Sequence, residues 1–82
     1  MHDDEYYFEL LRHNIRKYRI KACLTQQQLA DKADITMNYL AKIEATSIKT
    51  KKGFSIATLG RIADALEIDI RKLFDPIEED SN

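Results

Sequence analysis

Few residues in this chain have the types and spacing for covalent or metal chemistry. Cys23 is the single cysteine, so no internal disulfide forms and no thiolate metal site is expected. His2 and His13 lie eleven residues apart, too far for a pair of ligands on one helical turn. The plain expectation is a buried thiol and two ordinary imidazoles. Gly53 and Gly60 are the two glycines and make no phosphate-cradling loop, and no nucleophile is spaced with a base. No cofactor, no small-molecule substrate and no enzymatic activity are expected. What remains is recognition chemistry: the carboxamides of Gln26 and Asn38, the ammonium groups of Lys42, Lys49, Lys51 and Lys52, the hydroxyl of Tyr39 and the apolar tip of Met37.

The distribution of charge favours an anionic partner. Between residues 12 and 52, ten Lys and Arg face three Asp and Glu, a local net of +7 hidden inside an overall net of −1. Residues 1–11 carry four acids, and residues 53–82 carry seven acids against three cations. A cationic middle with acidic flanks suits a polyanion and disfavours indiscriminate sticking.

These groups need elements to hold them. A chain of 82 residues is one domain, burying only about 60% of its unfolded surface. The periodicity is helical throughout. Leu11, Ile15 and Tyr18 recur at intervals of three and four over Tyr7 to Lys21, and Asp3 or Asp4 is placed to cap that first helix. Thr25-Gln26-Gln27-Gln28 has the form of a capping box opening a second helix, with Leu29, Ala30 and Ala33 inward. A break follows at Asp34. Thr36 caps a third helix, residues 36–44, with Leu40 and Ile43 inward. The segment 45–54 is polar and basic and reads as a loop. Ser55 caps a fourth helix with Ile56, Leu59, Ile62, Ala63 and Leu66 inward, and Asp69 caps a short fifth carrying Ile70, Leu73 and Phe74. Pro76 ends it. The expectation is an all-α, compact five-helix domain over residues 1–77, followed by a flexible acidic tail, 78–82. No apolar run approaches the ~20 residues of a membrane span, and the acidic N-terminus is unlike a signal peptide, so a cytoplasmic protein is expected.

Residues 25–45 are the most informative. Two helices of about eight residues hold a fixed angle only when small residues sit where they cross, and Ala30 and Ala33 do. The turn needs one residue with φ > 0, and Ile35 plugs it from behind. This is the layout of a helix-turn-helix, whose second helix is exposed on its far side.

The run Leu24 to Ala33, with Ile35-Thr36 and Tyr39 to Glu44, resembles the phage-repressor or Xre-type helix-turn-helix family, and the resemblance continues through Ser55 to Leu59 and Ile62 to Ile68. It covers roughly residues 11–74. It implies a lambda-repressor-like fold and a sequence-specific regulator, a repressor by expectation, acting on double-stranded DNA as a homodimer. In such proteins the start of the second helix of the motif meets base edges, which implies base contacts from Met37, Asn38 and Lys42. Asn pairs with adenine, Lys donates to guanine O6 and N7, and Met can touch a thymine methyl. The resemblance gives Gln26 a phosphate contact; Tyr39 through its hydroxyl, and Lys49, Lys51 and Lys52 from their place directly after the third helix, are further candidate backbone contacts. Arg19 and Glu44 are implied to form a structural ion pair. The family places Gly where this chain has Asp34 and Cys23, so left-handed backbone is expected at Asp34 at some cost. Leu73, Phe74 and Ile77, or alternatively Tyr6, Tyr7 and Phe8, are the candidate dimer surface. The competing reading is an antitoxin-like or adaptor protein whose main partner is another protein. The aromatic N-terminus and acidic tail motivate it.

Overall fold

The computed structural model describes residues 4–45 and 55–77. Lys49, Lys51, Lys52 and the tail 78–82 lie outside the described residues. Four α-helices follow one another, α1 (Asp4–Lys21), α2 (Gln26–Ala33), α3 (Met37–Glu44) and α4 (Ile56–Ala65), and a 3-10 helix (Ile70–Phe74) closes the order. Among the described residues there is no strand, and no helix is long and apolar enough to cross a membrane.

Each of the last four starts is set by a side chain. Thr25 accepts from the Gln28 N–H at 3.0 Å while Gln28 Oε1 accepts from the Thr25 N–H at 2.8 Å, completing the capping box. Thr36 caps α3 through the Tyr39 N–H, Ser55 caps α4 through the Thr58 N–H, and Asp69 caps the 3-10 helix through the Arg71 N–H. The fifth element takes the tighter 3-10 form and is five residues long.

Three helix ends share one device. Cys23, Asp34 and Glu67 all lie in the left-handed region, with φ of 59°, 57° and 58°. In each case the next residue's N–H reaches back to a carbonyl five residues earlier: Leu24 to Arg19 at 3.1 Å, Ile35 to Ala30 at 3.0 Å and Ile68 to Ala63 at 3.0 Å. That next residue is apolar every time, and Leu24, Ile35 and Ile68 all pack against the core. Burying it offsets the roughly 1–2 kcal/mol that a left-handed L-residue costs. The expectation at Asp34 is met. Glu67 is a third left-handed site with no glycine-like residue to announce it. Cys23, expected as a buried thiol, is exposed because the same turn directs it outward.

The core draws on all five elements: Leu11 and Ile15, then Leu29, Ala30 and Ala33, then Leu40 and Ile43, then Leu59, Ile62, Ala63 and Leu66, and finally Leu73. Each fully buried Leu or Ile contributes about 1.5–3 kcal/mol of transfer free energy. Helix α2 packs on both α3 and α4, and α1 packs on α3 and the 3-10 helix. Two positions depart from the sequence-based expectations. Ile56, at the first residue of α4, is 70% exposed, since the first turn overhangs the core. Leu73, offered as part of a dimer surface, is fully buried under α1, while its neighbour Phe74 is exposed.

One buried polar group lies among the apolar side chains of α1. Asn14 is fully buried on α1 and donates through Nδ2 to the Leu73 carbonyl at 2.8 Å and the Asp75 carbonyl at 2.9 Å. It ties the closing turn to α1. Its Oδ1 has no partner among the described residues. The signal was present, because Asn14 sits at a core-facing position between Leu11, Ile15 and Tyr18.

Candidate nucleic-acid interface

Helix α3 is eight residues long and its two faces differ in kind. At about 100° per residue, Leu40, Ile43 and Glu44 fall within one arc, and all three are buried. Asn38 and Lys42, one turn apart, occupy the middle of the opposite arc, and both are exposed. Met37, 40% exposed, flanks them on one side beside the half-buried Ala41. Tyr39, 36% exposed, flanks them on the other. The stripe therefore offers a carboxamide, an ammonium and a thioether from one rigid helix, with a small side chain between them that permits close approach. That is the inventory needed to bond and touch base edges in a groove.

The anchor behind the stripe is electrostatic as well as apolar. The Arg19 guanidinium donates through Nε to Glu44 Oε2 at 2.8 Å and through Nη2 to Oε1 at 3.0 Å. Its Nη1 donates to the Leu24 carbonyl at 2.8 Å. The side chains are only 12% and 2% exposed, so this is a desolvated, two-pronged pair that joins the end of α1 to the end of α3. The sequence-predicted pair of Arg19 and Glu44 is brought together.

Gln26 opens α2, where first-turn N–H groups have no intrahelical partner and the helix dipole attracts anions. Its side chain is half-buried, and its Nε2 donates to Glu44 Oε1 at 3.2 Å. Sequence reasoning did not foresee this contact, because it spans eighteen residues and depends on the packing of α2 against α3. On α1, Arg16, Lys17 and Lys21 are exposed, and the ammonium groups of Lys17 and Lys21 stand 5.3 and 5.9 Å from the centre of the Tyr18 ring.

Residues 15–73 match the helix-turn-helix family model, a span that contains α2, the turn at Asp34, α3 and α4 in full. The chain belongs to the helix-turn-helix family. It is accordingly a DNA-binding transcriptional regulator of the Xre-like type that its motif residues resemble. A similar solved structure is the crystal structure of the restriction-modification controller protein C.AhdI from Aeromonas hydrophila, with a TM-score of 0.71 and 24% identity over 82% of this chain and 96% of that chain. This likeness shows a shared fold. No curated protein matches the chain. Within this helix-turn-helix protein, α3 is the second helix of the motif and α2 the supporting one.

Proposed function

We propose that this regulator is a sequence-specific repressor that reads the major groove of double-stranded DNA with α3. Asn38 and Lys42 bond base edges, Met37 contacts a thymine methyl, and Gln26 and Tyr39 hold the backbone. Lys49, Lys51 and Lys52 extend the backbone contact after α3. The observation that carries this reading is the exposed stripe of Met37, Asn38 and Lys42 on a helix held from behind by Leu40, Ile43 and Glu44. The work at this surface is recognition, with no bond made or broken.

A single module of this size makes few base contacts, so we propose that it acts as a cytoplasmic homodimer on two half-sites about one helical turn, roughly 34 Å, apart. With Leu73 buried, the exposed apolar side chains of Phe74 and Ile77 remain to supply the interface, and Tyr7 on α1 is a second candidate. The family match favours this reading over an antitoxin-like or adaptor role.

Selection of bound sequences from random duplex DNA tests the proposal. The expected product is a defined motif repeated as a palindrome. Recovery of duplexes with no shared motif would overturn sequence-specific reading, and a single unrepeated motif would overturn the symmetric dimer.

A further inference from the structure

The Glu44 carboxylate collects donors from two different helices, Arg19 on α1 and Gln26 on α2, while standing at the end of α3. We propose that Glu44 is a positioning residue for DNA binding: its Oε1 holds the Gln26 carboxamide so that the remaining N–H is oriented towards a DNA phosphate before DNA arrives. This rests on the reading of Gln26 as a phosphate contact.

Three features carry it. A Gln amide has two N–H groups, and only one is spent on Glu44 at 3.2 Å, leaving one donor for an anion. The Glu44 charge is matched by the two-pronged Arg19 guanidinium, so the carboxylate can lie next to a phosphate contact without repelling it strongly. Gln is among the side chains that lose most rotamer freedom on ordering, and ordering it in advance removes that cost from the binding step. Arg19 also bonds the Leu24 carbonyl just before α2, so the backbone entering this helix and its first side chain are referenced to the same ion pair.

The test is a mutant cycle on the full chain, read by fluorescence anisotropy with a labelled random-sequence duplex over a range of KCl concentrations. Gln26→Ala is made in the wild-type chain and in an Arg19→Met/Glu44→Leu background, where an apolar pair replaces the ion pair. In the wild-type chain, Gln26→Ala is expected to weaken binding about three- to tenfold at every salt concentration with the log–log slope unchanged, because a neutral amide displaces no counterion from the phosphate. In the apolar background the same change is expected to cost less than about twofold, because Gln26 is no longer held. An equal cost in both backgrounds overturns the positioning role. If Gln26→Ala costs nothing in either, the phosphate contact fails and takes this inference with it. A wild-type affinity independent of salt would instead strike at the DNA-reading proposal itself. Circular dichroism checks that the background folds. Should it not fold, nitrogen relaxation of the Gln26 side-chain amide in the free wild-type protein decides. An order parameter near rigid-backbone values supports the proposal, and one below about 0.6 overturns it.

Discussion

Replacing Arg19 by Met isolates what holds α3 at its angle. The substitution keeps much of the aliphatic stem and removes three hydrogen bonds, two to Glu44 and one to the Leu24 carbonyl. The Glu44 side chain is 2% exposed, so its carboxylate, left without a counter-charge and with only the Gln26 amide as donor, has almost no access to water. Breaking one partner of such a pair costs about 3–5 kcal/mol. At about 0.05–0.15 kcal/mol per residue, 82 residues give a total stability of roughly 4–12 kcal/mol. The variant therefore loses between a quarter of its stability and all of it, with a fall in Tm of roughly 12 °C or more. The double replacement Arg19→Met/Glu44→Leu removes both charges together, and its stability is expected to lie within about 1 kcal/mol of the wild type or above it. Urea unfolding followed by circular dichroism measures both. A loss below about 1 kcal/mol for Arg19→Met would mean that the pair behaves like a solvated surface contact, which would refute the argument from burial. A double variant as unstable as the single one would show that lost packing or the bond to Leu24 is responsible, and not the stranded charge.

Asn38→Ala and Lys42→Ala are each expected to weaken binding to the selected DNA site by about 1–3 kcal/mol with unchanged helix content, measured by anisotropy and circular dichroism; normal binding by both would remove α3 as the reader. Asn14→Leu strips the donors from the Leu73 and Asp75 carbonyls and should cost about 1–3 kcal/mol in urea unfolding; a variant as stable as the wild type or more so would show the tie dispensable. Glu67→Gly relieves left-handed strain while giving the unfolded chain more freedom. The net gain should be about 0.5–1 kcal/mol, and Asp34→Gly should gain less because Asp tolerates this conformation better; the reverse ranking by unfolding midpoint contradicts the strain assignment. The Arg71 side chain and N–H bond the Asp69 carboxylate and hold its carboxyl below the usual range. Its stabilising effect is thus present above the unfolded-state value and is lost as pH falls through the lower folded value. An NMR titration showing Asp69 protonating in the ordinary carboxylate range would refute this.

Local rules made most of the architecture legible. Thr25, Thr36, Ser55 and Asp69 were readable as caps because capping is a contact between neighbours in sequence, needing no knowledge of the fold. Leu40, Ile43, Leu59 and Ile62 were readable as core because helical spacing alone assigns them one face. Asn38 and Lys42 follow as outward for the same reason. Cys23, Ile56 and Leu73 were misplaced for a common cause. Each sits at the end of an element or just beyond it, where periodicity no longer dictates direction and burial depends on what another helix covers.

Two matters were decided only by the tertiary structure. One is the fate of polar groups that look interchangeable in sequence: Asn14 became a buried tie and Gln26 a ligand of Glu44, because hydrogen bonds across 18 to 61 residues exist only once the helices have packed. The other is the third left-handed residue, Glu67, tolerated because Ile68 finds a place on the core. By contrast, the order of helices, their caps, their apolar stripes and the exposed face of α3 were already determined by the sequence. Those features arise from interactions within a few residues, whose strength does not wait for the chain to fold.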